Sequence, residues 1–159
     1  MILKPTTDLQ QAGNRFTIFL GGSIEMGKAE NWQQRMESEL QAPGEVCVFN
    51  PRRDDWDSSW KQEIANLPFY EQVNWELNAL EAADLIVFYF SPETQSPVTM
   101  LELGLFARSG KLVVCCPDGF WRKGNIDIVC EKYAIPVVEN LDGLIRHVKE
   151  RIQQHEERN

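Results

Sequence analysis

Short apolar runs of strand length alternate along this chain with stretches whose apolar residues recur at helical spacing. Residues 16–20, 46–49, 85–90, 112–116 and 135–138 read as strands, the third and fourth as fully buried ones. Between them, 29–40 carries Trp32, Met36 and Leu40, and 69–83 carries Phe69, Val73, Leu77 and Leu80, as helices do. A third helix starts at Pro97, with Ser96 as its expected N-cap, Val98, Leu101, Leu105 and Phe106 as its apolar stripe and Gly110 as its stop. Shorter helices are expected over 125–133 and 142–153, and a frayed tail over 155–159. Strand–helix alternation implies parallel pairing through right-handed crossovers. The expected fold is therefore a doubly wound, three-layer α/β domain, flavodoxin- or Rossmann-like, with about five parallel strands in the order 2-1-3-4-5. In that order ligands bind beyond the carboxyl ends of the first and third strands, where the glycine turn 21–23 and the loop 91–97 meet.

With 159 residues the chain has room for one domain, expected to span 1–159. Acidic residues outnumber basic ones, 24 against 16, so the net charge of −8 argues against a nucleic-acid polymer or an anionic membrane as partner. No apolar run approaches the roughly 20 residues needed to cross a bilayer. Residues 1–13 are polar, with no signal-peptide core, so a cytoplasmic protein is expected. The four cysteines, 47, 115, 116 and 130, form no CxxC pair, and only two histidines accompany them. They read as reduced core thiols, with neither a zinc site nor a disulfide framework.

Glu102 is the most informative residue. It lies on the helix leaving the crevice, amid apolar neighbours, where a carboxylate is costly unless used or paired. Either it serves chemistry, favoured as an anion by the positive end of the helix dipole, or it closes a capping box over Thr99-Met100-Leu101-Glu102. Glu76 borders the apolar stripe of the preceding helix and either faces inward or is a solvated surface glutamate. Two carboxylates converging on one crevice suit cleavage of a glycosidic bond, one as nucleophile and one near the leaving group.

Gly21-Gly22-Ser23 resembles a phosphate or sugar turn, since bare amides and a hydroxyl approach oxygen-rich ligands there. It lacks both GxGxxG and a P-loop ending, which disfavours nicotinamide and NTPase chemistry. Trp56, Trp60, Phe69 and Trp121 could stack a nucleobase or simply pack. Arg52, Arg53, Arg122 and Lys123 read as solvated, with an anion contact as the other reading. The loop 52–68 is long for a compact domain, which points to function or disorder.

Five segments extend this pattern: Phe19-Leu20-Gly21-Gly22-Ser23-Ile24, Phe49-Asn50-Pro51-Arg52-Arg53-Asp54-Asp55-Trp56, Gln72-Val73-Asn74-Trp75-Glu76-Leu77, Ser96-Pro97-Val98-Thr99-Met100-Leu101-Glu102-Leu103-Gly104 and Phe120-Trp121-Arg122-Lys123-Gly124-Asn125-Ile126. Together, over residues 16 to about 148, they resemble the nucleoside 2-deoxyribosyltransferase superfamily, in particular its deoxyribosyltransferase-like branch. The resemblance implies double displacement at the anomeric carbon of a 2'-deoxynucleoside. Glu102 matches the nucleophile. Glu76 stands where the family usually has an aspartate that contacts sugar or assists proton transfer, and is one methylene longer. Gly21, Gly22 and Ser23 match the sugar-lining turn, and Asp55 and Trp56 are expected to contact substrate. Asn125 matches an asparagine that enters a neighbouring subunit's site, which implies a homo-oligomer with shared sites. Ser96 stands where many transferases are acidic and where relatives that hydrolyse 5'-monophosphates bind phosphate. The implied partners are a nucleoside or nucleotide and a free nucleobase, with no metal or organic cofactor. The rival readings are an N-glycoside hydrolase, a nucleotide-binding module without chemistry, and a metal-dependent phosphoryl-transfer protein using Asp54, Asp55 and Asp57.

Overall fold

The computed structural model describes residues 1–24, 31–40, 46–53, 55 and 57–158. Its strands are β1 (Ile2–Leu3), β2 (Phe16–Gly22), β3 (Val46–Phe49), β4 (Leu85–Tyr89), β5 (Leu112–Cys115) and β6 (Val137–Val138). The helices are α1 (Trp32–Glu39), α2 (Leu67–Ala82), α3 (Pro97–Phe106), α4 (Lys123–Lys132) and α5 (Leu141–Glu156), with a 3-10 turn at Leu9–Ala12. All strand pairs are parallel and the sheet order is β1-β3-β2-β4-β5-β6. The five expected strands thus stand in the expected order, and the sheet gains an edge strand, Ile2–Leu3, set against Val48 and Phe49. Two residues are too few to carry a periodic signal, so neighbouring backbone alone makes this strand visible.

Side-chain alternation along the central strands builds two cores. Phe19, Ile86, Phe88 and Val114 point to the face covered by α2, α3 and α4. Ile18, Leu20, Leu85, Val87 and Val113 point to the face covered by α1 and α5, where Trp32, Met36, Leu144 and Val148 meet them. Each such fully buried side chain contributes about 1.5–3 kcal/mol. The four cysteines are buried and unbonded, and burial pushes the thiols of Cys115 and Cys130 up to about 12.

Three local expectations are corrected. The glycines 21 and 22 belong to β2 rather than to a turn, paired with Phe88 and Tyr89. Gly22 has φ +142°, and a side chain there would strike the Tyr89 carbonyl oxygen, while one at Gly21 would strike the Phe88 ring. Close approach of strands, not chain reversal, requires glycine here. On α3 most of the expected stripe faces outward: Val98, Leu101 and Leu105 are 59%, 65% and 60% exposed, whereas Phe106 packs against the core and Thr99, Glu102 and Leu103 are buried. A helix apolar on nearly every side offers no period from which to choose its inner face. At the chain end, α5 continues past 153 to Glu156, and His155 packs 4.7 Å from the Phe16 ring.

The other boundaries move by a few residues. Asn66 caps α2 through its side chain and Asn140 caps α5. Asn31 caps α1, and the expected helix start at Ala29 lies outside the described residues. No helix among the described residues is long and apolar enough to cross a membrane.

Candidate active site

Beyond the carboxyl ends of β2 and β4, where the sheet order reverses, lies a crevice of about 710 Å3. Gly21 and Gly22 form part of its floor, Pro51, Arg52 and Arg53 one rim, and α2 and the first turn of α3 its walls. Glu76 and Glu102 both line it, brought there by different helices. The capping-box reading of Glu102 fails: Ser96 precedes Pro97, the first residue of the helix, and no hydrogen bond ties the Glu102 carboxyl to the Thr99 amide among the described residues. Glu102 is 6% exposed. Burial, reinforced by the neighbouring Glu76, pushes its carboxyl up to about 8. Burial likewise raises Glu76 to about 7, opposed by a hydrogen bond from Gln72. The dipole of α3 was expected to favour a Glu102 anion, but a helix terminus contributes only about 0.3–1 kcal/mol. One pKa unit is about 1.4 kcal/mol, so burial prevails.

The Ser96 hydroxyl does not cap its helix. It lies 2.7 Å from Ser23 Oγ and 2.9 Å from Thr94 Oγ1, which are themselves 2.6 Å apart. The Ser91 amide donates to Ser23 Oγ, and Thr94 Oγ1 donates to the Ser91 carbonyl. All three hydroxyl residues are buried. This knot ties the end of β2 to the loop after β4 and holds Ser96 in left-handed backbone, φ 47°. A non-glycine residue persists in that region only where its surroundings determine it. Ser96 lines the crevice, whereas Ser23 is enclosed behind it, its carbonyl accepting from Trp32 Nε1.

Arg52 and Arg53 differ sharply. Arg53 makes a two-pronged ion pair with Asp55 at 2.9 and 2.8 Å and lies over the Trp60 ring. The hydrogen bond lowers the Asp55 carboxyl and raises the Arg53 guanidinium. Asp55 itself is exposed and stands outside the lining. Arg52 donates to Gln33 Oε1 at 3.5 Å and has no carboxylate within ion-pair distance among the described residues. Of the aromatic candidates, Phe69 lines the crevice, while Trp60 and Trp121 do not. Trp121 is half-exposed, donates to the Gln95 carbonyl and lies beneath Arg122. Trp56 and Asp54 lie outside the described residues. Asn125, exposed on α4, stands away from its own chain's crevice. No cluster of three metal-ligating side chains occurs among the described residues.

Sequence reasoning passed over Gln72. Its Nε2 donates to the Pro51 carbonyl at 3.1 Å and to the Glu76 carboxyl, so it locks the β3 loop to α2 and orients Glu76. The four-residue spacing from Glu76 on one helix was the available signal.

A family described as nucleoside 2-deoxyribosyltransferase like matches residues 15–120, from the start of β2 to the loop after β5. The chain belongs to this nucleoside 2-deoxyribosyltransferase-like family. The matched region contains both carboxyls, the hydroxyl knot and Gln72. Among solved structures, a conserved protein from Enterococcus faecalis V583 shares 16% identity and a TM-score of 0.59, over 86% of this chain and 99% of that one. At that identity the likeness concerns the fold. No curated protein matches the sequence.

Proposed function

We infer that this member of the family cleaves the N-glycosidic bond of 2'-deoxynucleosides and transfers the deoxyribosyl group by double displacement, within one catalytic domain. The observation that carries this reading is the pair Glu76 and Glu102, converging from two helices on one crevice and both holding protons unusually tightly. Glu102 attacks C1'. The C1'–N bond breaks, its electron pair passes to the base nitrogen, and Glu76 supplies the proton that the departing base needs. A second base then attacks C1' through a ring nitrogen, that nitrogen's proton passes to the Glu76 carboxylate, and the C1'–O bond to Glu102 breaks, releasing the Glu102 carboxylate.

The empty crevice would place its first negative charge on Glu76, the weaker proton holder. Positive charge developing at C1' in the transition state favours the anion at Glu102 instead, leaving the proton on Glu76 where the base departs. Incubation with a deoxynucleoside and a different free base should exchange the bases. The mass spectrum should show an adduct of deoxyribosyl mass on the parent protein and none on Glu102→Ala. Exchange by Glu102→Ala at the parent rate would remove the assigned nucleophile.

A second reading, hydrolysis of a deoxynucleoside 5'-monophosphate, is favoured by Arg52, a rim guanidinium with no carboxylate partner among the described residues, and by Ser96, which lines the same crevice. Release of deoxyribose 5-phosphate without an acceptor base would support it. A homo-oligomer with shared sites is supported by the outward stripe Val98, Leu101 and Leu105, which begins at the crevice lip, and by the exposed position of Asn125. Ligand binding without any turnover would favour a non-catalytic module.

A further inference from the structure

Glycosidic transfer accounts for Glu76 and Glu102 but leaves one buried polar atom of the crevice idle. Gln72 is 3% exposed and lines the crevice, and its Oε1 has no hydrogen-bond partner among the described residues. The orientation of this amide is determined by its surroundings. Both neighbours of Nε2, the Pro51 carbonyl and the Glu76 carboxyl, are acceptors, and turning the amide over would set Oε1 against the Pro51 oxygen. Both Nε2 hydrogens are therefore spent, and the oxygen, closed off in the empty crevice, is left without a donor among the described residues. Buried carbonyl oxygens nearly always have partners, so an exception on the wall of a ligand crevice calls for a donor on the ligand.

The helix face around it indicates which end of the ligand that is. Phe69, Gln72, Val73 and Glu76 fall at i, i+3, i+4 and i+7 of α2, all on the crevice. Phe69 and Val73 present an apolar surface suited to a flat ring, whereas the hydroxyl of Ser96 and the Glu102 carboxyl lie on the wall formed by α3. A base laid against Phe69 and Val73 carries its edge past Gln72.

We propose that Gln72 is a specificity-determining residue that accepts a hydrogen bond at Oε1 from an N–H on the edge of the nucleobase, an exocyclic amine or a ring imide, while its Nε2 holds Glu76. The assignment rests on the nucleoside reading above. One amide then couples recognition of the base to placement of the acid that protonates it. A base without a donor at that edge leaves Oε1 buried and unpaired, and a site built for a hydrogen bond rejects such a ligand strongly.

The test uses the full chain and two substrate pairs, 2'-deoxyadenosine against purine 2'-deoxyriboside, which lacks the amine, and thymidine against N3-methylthymidine, which lacks the imide hydrogen. Both kcat/KM and Kd are measured. In at least one pair the donor-bearing member should be favoured by roughly 10- to 100-fold. In Gln72→Met that advantage should shrink to about threefold or less, and the pH profile should move because Glu76 loses its tether. The comparison within the parent protein stands whether or not the variant folds. Turnover with no gap in either pair, or a gap that persists in Gln72→Met, overturns the Gln72 assignment and leaves glycosidic chemistry standing. A gap that appears instead on removing the sugar 3'-hydroxyl assigns Oε1 to the sugar and overturns it too. A gap in Kd without turnover upholds Gln72 and removes the transfer chemistry. Absence of both binding and turnover overturns both.

Discussion

The proposed chemistry of the crevice depends on how two carboxyls share protons. If Glu102 attacks and Glu76 protonates the base as proposed, the reactive form is the pair with one proton left, since burial raises Glu76 to about 7 and Glu102 to about 8. The expected kcat/KM profile is bell-shaped, with limbs near those values and a maximum between them, measured as base exchange against pH. Glu102→Gln should lower kcat by roughly 10^4-fold while still binding deoxynucleoside, since the nucleophile is lost and the crevice is not. Gln72→Met should shift the lower limb upward, because the bond that now favours the Glu76 anion is removed. The same carboxyls affect stability. A folded state that binds protons more tightly than the unfolded chain, at the ordinary value of 4.5, loses stability as pH rises from about 4.5 to about 8. Thermal melts of the empty protein should fall across that window, and Glu102→Gln should flatten the decline.

At the scale of elements, β2 and α3 position everything else. Gly22→Ala adds a methyl against the Tyr89 carbonyl at φ +142°, so β2 and β4 must part where the hydroxyl knot begins. Its Tm should drop by several degrees, a loss of about 2–3 kcal/mol, with activity falling further than stability because Ser23 and Ser96 shift together. These strands were readable from their apolar runs, and the crevice location followed from the reversal of sheet order. The inner face of α3 was not readable. Its apolar residues surround the helix, so only the packing of its own Leu103 and Ala107 into the core could show that Glu102 points inward and Leu101 outward.

For the whole molecule, the proposed oligomer rests on the outward stripe Val98, Leu101 and Leu105 of α3, which begins at the crevice lip, and on the exposed Asn125 of α4. Leu101→Glu should convert an oligomer to monomer in sedimentation velocity, weakening self-association by roughly 100-fold. Activity should fall with it if neighbouring subunits complete each other's sites. An unchanged sedimentation coefficient that already corresponds to a monomer in the parent protein would end the shared-site reading. Alternation of period along the chain was enough for the parallel sheet and its strand order, because a period of two and a period of 3.6 leave different marks on neighbouring residues. The motif segments were enough for the family. Folding alone brought Gln72 to Pro51, buried Glu102 beside Glu76 and drew the Ser23 hydroxyl at the end of β2 into one knot with two hydroxyls of the loop after β4. Those are contacts between distant parts of the chain, and their energies depend on desolvation and on hydrogen-bond geometry, neither of which exists until the layers have closed.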